Sequence, residues 1–149
     1  MIHDVSTDAD DPPSFIALRD IRLKCANGAD YSGLRGESHR TRYADIIPGI
    51  YPQPLAVIFQ ASLAAAKAMG WAIAAANESA GRIEATATTR LLRFKDDVVI
   101  RLRDTGPNGN GARLDIRSTS RVGSSDFGAN AKRIRTFLHE LNNRLKTSN

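Results

Sequence analysis

Three segments in the second half of the chain alternate apolar with polar or charged residues, and this pattern constrains the fold most strongly. They span residues 82–89, 98–103 and 112–121. Successive side chains of a β-strand point to opposite faces, so each segment predicts a strand with one apolar face and one polar face. Turn-forming residues at 77–81 and 106–111 indicate hairpin loops, and the first loop follows a strand-like run at 71–76. The sequence therefore predicts a four-stranded antiparallel meander.

Two predicted helices flank the strands. Apolar residues recur at helical spacing from Leu55 to Met69, between a proline suited to a helix start and a glycine suited to a stop. A second helix is predicted over about 127–146, where Ile134, Phe137 and Leu141 begin one apolar stripe. Each stripe must cover an apolar surface. We therefore expect an α+β two-layer sandwich, in which both helices pack on one face of the meander.

The first 53 residues show no sustained period and carry many glycines and prolines. We interpret residues 1–53 as an irregular N-terminal wrap with one short helical turn near 15–23, attached to a core formed by 54–149. The whole chain, 1–149, is expected to form one domain, because 149 residues fall within the usual size of a single domain. No apolar run approaches the ~20 residues that a membrane helix needs.

Positive charge is concentrated in the second part of the chain. Residues 1–89 hold 8 basic and 10 acidic residues, whereas residues 90–149 hold 13 basic and 6 acidic residues. The net charge is +5, and 16 of the 21 basic residues are arginine. Guanidinium groups bind carboxylate and phosphate in a bidentate manner, which favours an anionic partner. The alternative is that the arginines only keep the domain soluble.

The polar face of the predicted sheet supports more than one interpretation. It is either a solvated face with cross-strand Arg–Glu and Arg–Asp pairs or a surface that binds anions. A further hypothesis is that the acidic segment 3–11 lies across this face as an internal counter-charge. The residues assigned to the face are Glu84, Thr86, Thr88, Arg90, Val99, Arg101, Arg103, Asp115, Arg117, Thr119 and Arg121.

The joint between the last strand and the last helix holds the candidate binding site. A glycine-bearing turn, hydroxyl groups, a helix N-terminus and nearby guanidinium groups are the components of an anion pocket. The alternative is structural, with Asp126 as the N-cap of the helix and an Arg121–Asp126 salt bridge locking the turn. The candidate residues are Arg90, Arg101, Arg117, Ser118, Ser120, Arg121, Gly123, Ser125, Asp126, Asn130 and Arg133.

Catalytic and cofactor motifs are not recognisable. His139-Glu140 lacks the second histidine of a zinc-protease helix, and no Gly-x-Ser-x-Gly elbow occurs. Cys25 is the only cysteine, which excludes a cysteine-built zinc site and an intramolecular disulfide. We therefore expect no metal and no cofactor. An enzyme remains an alternative, and it would need a titratable base near the arginines.

Several stretches carry a family resemblance. Residues 117–134 (RSTSRVGSSDFGANAKRI) closely resemble the signature of the domain-of-unknown-function family numbered 1499. The opening 3–13 is similar to the start of that family, and 69–71, 83–87 and 94–101 are similar to its central part. The element 43–48 departs from the family pattern at Ala44, where the family has proline.

The resemblance implies a location but no reaction. Members similar to this chain carry membrane helices or an export signal before the His-Asp opening, which implies the soluble part of a membrane-anchored, periplasmic bacterial protein. We expect a non-enzymatic binding domain for an anionic small molecule, lipid headgroup or envelope component, with a protein partner as an alternative. A small enzyme acting on an anionic envelope molecule is the alternative function. Nucleic acid is disfavoured, because the polar face offers no aromatic residues for base stacking.

Overall fold

The computed structural model describes residues 1–147, over which the chain forms six strands and four helices. The α+β class is confirmed. The elements are β1 (Asp4–Ser6), α1 (Arg19–Leu23), α2 (Gly36–Arg42), β2 (Gly49–Tyr51), α3 (Leu55–Ala68), β3 (Ala72–Asn77), β4 (Arg82–Thr88), β5 (Lys95–Asp104), β6 (Ala112–Ser120) and α4 (Ala129–Thr147).

All pairings of the sheet are antiparallel, and its order is β1-β6-β5-β4-β3. β2 pairs with the opposite half of β6, so β1 and β2 extend the same edge. The prediction of four strands was therefore incomplete, because β1 and β2 come from the segment expected to be irregular. Each has only three residues, which is too short to show alternation in the sequence.

The main core lies between the sheet and the two long helices α3 and α4. Ile83, Ile100 and Ile116 pair across three neighbouring strands and are almost completely buried. Phe137 of α4 joins this core and stacks on Trp71, with 5.5 Å between the ring centroids. The apolar residues that alternate along β4, β5 and β6 therefore face the helices and form the larger cluster of buried side chains.

Residues 7–29 cover the second face of the sheet. Glu84 on that face is buried, and its carboxylate accepts hydrogen bonds from the backbone N–H groups of Ile16, Ala17 and Leu18 at 2.9–3.1 Å. Phe15 and Leu18 form a small buried cluster with Val99 of β5. A buried carboxylate needs such donors. Part of the segment expected to be irregular therefore forms a fixed layer over the polar face.

Candidate functional site

Arg117 of β6 is neutralised inside the chain. Its Nε and Nη2 donate to Asp4 Oδ1 and Oδ2 at 3.0 and 2.9 Å, and the side chains are only 2% and 1% exposed. Nη1 and Nη2 also donate to the carbonyl oxygens of Pro13 and Ala29. Phe15 lies against the guanidinium group, 4.9 Å from its ring centroid. Arg117 thus fastens β1 and the covering segment to β6.

Asp97 of β5 pairs with two further arginines on the same face. Arg22 Nη1 donates to Asp97 Oδ2 at 2.9 Å. Arg121 donates through Nε to Oδ2 and through Nη2 to Oδ1, both at 2.9 Å. This hydrogen bonding with Asp97 raises the pKa of Arg121 above its ordinary value. Arg121 therefore pairs with Asp97, whereas the sequence analysis considered Asp126 as its partner.

A third charge cluster lies farther along the same face. Arg113 Nη2 donates to Asp8 Oδ2 at 2.9 Å, and its Nε donates to Asp115 Oδ2 at 2.8 Å. Hydrogen bonding with Asp115 raises the pKa of Arg113. The sequence suggested counter-charges from Asp4, Asp8, Asp10 and Asp11, and all of these except Asp10 form ion pairs with arginines of the face. The cluster contains Arg101, Arg103, Arg113, Asp8, Asp11 and Asp115.

Arg101, a candidate residue of the anion pocket, does not lie at the turn between the last strand and the last helix. Arg101 lies four residues beyond Asp97 along β5, and its guanidinium group belongs to the third cluster. Its Nη2 also donates to the carbonyl oxygen of Asp11 at 2.9 Å. The structure therefore separates Arg101 from Arg121, and both are already paired with carboxylates.

Asp126 accepts the hydrogen bonds expected of a capping carboxylate, although α4 begins at Ala129 and not at about 127. Its Oδ1 accepts a hydrogen bond from the Gly128 N–H at 2.7 Å, and its Oδ2 accepts bonds from the backbone and side-chain N–H groups of Asn130. In the same turn, Ser125 Oγ accepts from Phe127 N–H, and the Gly123 carbonyl accepts from Asn27 Nδ2. The amide groups expected to hold an anion therefore already have intramolecular acceptors at Gly128 and Asn130.

The serines and the last arginine of the candidate set lie on the helix side of the sheet. Ser118 Oγ donates to Asn130 Oδ1 at 2.7 Å, and Asn130 Nδ2 donates to Ser120 Oγ at 2.9 Å. Arg133 Nη1 lies 2.9 Å from both Asn130 Oδ1 and Asp96 Oδ2. This polar network joins α4 to β5 and β6, and it lies on the opposite side of the sheet from Arg117 and Arg121.

A different feature lies at the end of the sheet where these strands meet the turn. The β4–β5 loop (89–94) and the β6–α4 loop (121–128) enclose a cavity of about 260 Å³. Buried or partly buried polar residues, including Asp96, Ser120 and Asp126, contribute to its lining. The apolar residues lining it are Leu91, Leu92, Phe94, Val122 and Phe127, all of them exposed to solvent. We call this region the loop cavity.

The β4–β5 loop is closed by hydrogen bonds at its base. Thr89 N–H donates to the Phe94 carbonyl, and Phe94 N–H donates to Thr89 Oγ1, both at 2.8 Å. Arg93 adopts a left-handed conformation with φ 59°, and its N–H donates to the Thr89 carbonyl. The backbone thus holds Leu91 and Leu92 in solvent, where Leu91 is 90% exposed.

Phe127 is held in an unfavourable backbone conformation. Its φ is 52°, a left-handed value that a bulky side chain rarely adopts, and its side chain is 96% exposed. Packing does not explain this conformation, since the ring is almost completely in solvent. Residues kept in such conformations cluster at functional sites. Phe127 is therefore a candidate functional residue.

The β4–β5 loop, which borders the loop cavity, is cationic, although its basic side chains do not line the cavity itself. Arg90, Arg93 and Lys95 are exposed and alternate with the apolar residues of the loop. Within residues 1–147, neither Arg90 nor Arg93 forms an ion pair or a side-chain hydrogen bond. Lys95 Nζ contacts Thr88 Oγ1 at 3.3 Å. Of the arginines proposed from the sequence, only Arg90 carries a charge that no described carboxylate neutralises.

The apolar residues of this site were not predicted from the sequence. Leu91, Leu92 and Phe94 fall between two strand-like runs, and Phe127 falls in a segment that resembles an ordinary helix start. The available signal was a Leu-Leu pair flanked by arginines in a loop, where large apolar residues have no core to fill.

Over the described 147 residues, no group of His, Cys, Asp or Glu side chains is arranged to hold a metal ion.

The chain belongs to the family described as Protein of unknown function (DUF1499), which matches residues 4–141. This finding confirms the resemblance seen in the sequence. A solved structure, that of TTHA0849 from Thermus thermophilus, is 11% identical in sequence, covers 68% of this chain and 95% of its own, and has a TM-score of 0.39. That similarity is too weak to bear on function. No curated protein matches the chain, and none of the helices within residues 1–147 could span a membrane.

We expect Asp4→Asn to lower the free energy of unfolding by about 3–5 kcal/mol, because the buried Arg117 would lose its carboxylate. The control is Asp45→Asn, which removes the partner of Arg135 from an exposed pair with side chains 46% and 60% exposed. An exposed pair contributes about 1 kcal/mol or less. Urea unfolding of both variants is the measurement, and equal losses would contradict the structural role of Arg117.

We expect Phe127→Gly to leave the free energy of unfolding unchanged or to raise it by up to about 1 kcal/mol, since glycine adopts a left-handed conformation without strain. The control is Leu91→Gly, at an equally exposed loop residue without a positive φ. This second change should lower stability by about 0.5 kcal/mol through the entropy of the unfolded chain. Thermal and urea unfolding distinguish the two. A larger loss for Phe127→Gly would mean that the ring is structurally required.

Proposed function

We propose that this chain is a non-enzymatic binding domain that holds an anionic amphiphile, a molecule with an apolar chain and an acidic group, at the loop cavity. One observation carries the proposal. Both loops that enclose the cavity carry exposed apolar side chains, and the β4–β5 loop also carries two arginines without carboxylate partners among the described residues, Arg90 and Arg93. The arginines of the second face, in contrast, already have carboxylate partners.

The size and lining of the cavity favour a slender apolar group. Its volume of about 260 Å³ lies just below the 300–1,000 Å³ that is typical of sites for drug-sized ligands. Apolar side chains from both loops would lose water contact around such a group. Burying one leucine or phenylalanine side chain contributes about 1.5–3 kcal/mol. A hydrocarbon chain fits these conditions better than a large polar molecule.

The charge of the β4–β5 loop favours an acidic group at the end of that chain. Arg90 and Arg93 lie within the β4–β5 loop, and Lys95 begins the next strand. The nearest aspartates in the sequence, Asp96 and Asp97, are buried and held by arginines. They do not compete for the exposed cations. A phosphate or carboxylate at the mouth of the cavity would therefore meet unneutralised positive charge.

The alternative function, a small enzyme, has less support because the carboxylates that could act as a general base already have partners. Every carboxylate near these arginines that could act as a general base already accepts hydrogen bonds or forms an ion pair; these are Glu84, Asp96, Asp97, Asp115 and Asp126. One hydroxyl–imidazole pair exists, with Ser32 Oγ 2.9 Å from His3 Nε2. His3 Nδ1 is buried without a partner in the described chain, although a catalytic triad would hold that atom with a carboxylate.

We also propose a periplasmic location for the domain, as the soluble part of a membrane-anchored bacterial protein. The resemblance within the family supports this proposal. One contact bears on this proposal. The Asp126 N–H donates a hydrogen bond to the Ile2 carbonyl at 2.8 Å. The start of the chain therefore lies beside the β6–α4 loop. A membrane segment preceding residue 1 would hold the loop cavity near the bilayer.

The test is calorimetric titration with octyl phosphate and with uncharged octyl glucoside, both below their micelle concentrations. We expect the phosphate to bind more tightly. Leu92→Ser should weaken its binding about tenfold, since a tenfold change corresponds to about 1.4 kcal/mol of lost apolar contact. Ile50→Ser is the matched control, because Leu92 and Ile50 are both 66% exposed.

Two outcomes would contradict the proposal. One is the absence of octyl phosphate binding to the wild-type protein. The other is equal weakening by Leu92→Ser and Ile50→Ser, which would place the binding outside the loop cavity.

A further inference from the structure

The two most exposed apolar side chains at the loop cavity extend beyond what a bound chain would cover. Leu91 and Phe127 are 90% and 96% exposed, although both contribute to the cavity lining. A molecule inside the cavity would contact only their inner edges. Most of their surface faces outward, with one such residue in each loop. These two side chains therefore form an outer contact surface.

The backbone fixes this contact surface in advance. The β4–β5 loop is closed by two hydrogen bonds between Thr89 and Phe94, and Phe127 is held at a positive φ next to the cap of α4. Asn27 further anchors the β6–α4 loop through Gly123. A preorganised contact surface loses little conformational entropy when it binds. The exposed side chains of Leu91 and Phe127 are therefore positioned for contact with an apolar medium.

The charges next to the tips indicate which medium that is. The six residues from Arg90 to Lys95 read Arg-Leu-Leu-Arg-Phe-Lys and contain no acidic residue. Leucine and phenylalanine suit the boundary between headgroups and acyl chains, and arginine and lysine suit anionic headgroups. A folded protein partner would need its own carboxylates and an apolar pocket at matching positions. An anionic bilayer offers both features over its whole surface.

We propose that this end of the molecule docks on the surface of an anionic bilayer, with Leu91 and Phe127 inserted into the interface and Arg90, Arg93 and Lys95 at the lipid phosphates. This inference rests on the proposed function, since it identifies the anionic amphiphile as a membrane lipid. The docked domain lies on the membrane and does not span it. The loop cavity then opens directly onto the lipid that it binds.

The experiment is co-sedimentation of the full chain with vesicles of phosphatidylcholine alone or with about 30% phosphatidylglycerol. We expect binding to the mixed vesicles at least about tenfold tighter than to the neutral ones, and weaker binding when salt rises well above about 0.1 M. The double variant Leu91→Ser/Phe127→Gly should lose about tenfold or more in vesicle affinity. Its control is Ile16→Ser/Ile50→Ser, which changes two comparably placed apolar residues, 67% and 66% exposed, outside the loops.

Octyl phosphate titration of the same proteins separates the two proposals. Wild-type protein that binds octyl phosphate but neither kind of vesicle would overturn the docking inference and leave the proposed function standing. Vesicle binding that depends on the loop tips, without octyl phosphate binding, would support docking and contradict the loop cavity as a site. Equal loss in the double variant and its control would overturn docking. Urea unfolding of both variants establishes that they are folded.

Discussion

The buried guanidinium groups on the second face of the sheet are the constraint on which the rest of the structure depends. Arg22 and Arg117 are almost completely buried, and each has an aspartate within 2.9 Å. A buried charge without its partner costs several kcal/mol, so neither partner can leave without severe loss of stability. Arg22 lies in the covering segment, and Asp4 lies in β1. Charge pairing therefore holds the N-terminal third of the chain on the sheet.

This internal neutralisation moves the functional surface from the face of the sheet to one end of it. Residues 7–29 leave the second face little free charge, and α3 and α4 occupy the first face. The β4–β5 and β6–α4 loops are not covered, and they carry exposed apolar side chains beside exposed cations. Hydrogen bonds from Asn27 and to Ile2 attach the β6–α4 loop to the N-terminal part of the chain. The paired arginines stabilise the fold, and the two exposed loops form the surface proposed to bind a partner.

Structural features that follow from local periodicity could be predicted from the sequence. Features that depend on contacts between residues far apart in the chain could not. The alternation along β4, β5 and β6 correctly predicted which of their residues face the helices, and Asp126 was correctly predicted as a cap. β1 and β2 were missed because three residues cannot show a period. The arginines look available in the sequence because the partner of Arg117 lies 113 residues away. The positive φ of Phe127 could not be recognised from the sequence, because the residue is not a glycine and no turn motif around it requires that conformation.

Hydrogen–deuterium exchange with and without anionic vesicles tests most directly which surface contacts the membrane: the two loops, or the second face of the sheet with its arginines. Peptides spanning 89–94 and 121–128 should exchange more slowly in the presence of vesicles. Peptides spanning 4–11 and 112–117, which carry the neutralised arginines and their aspartates, should exchange at the same rate in both conditions. Protection of the second pair of segments, with the two loops unchanged, would contradict the account.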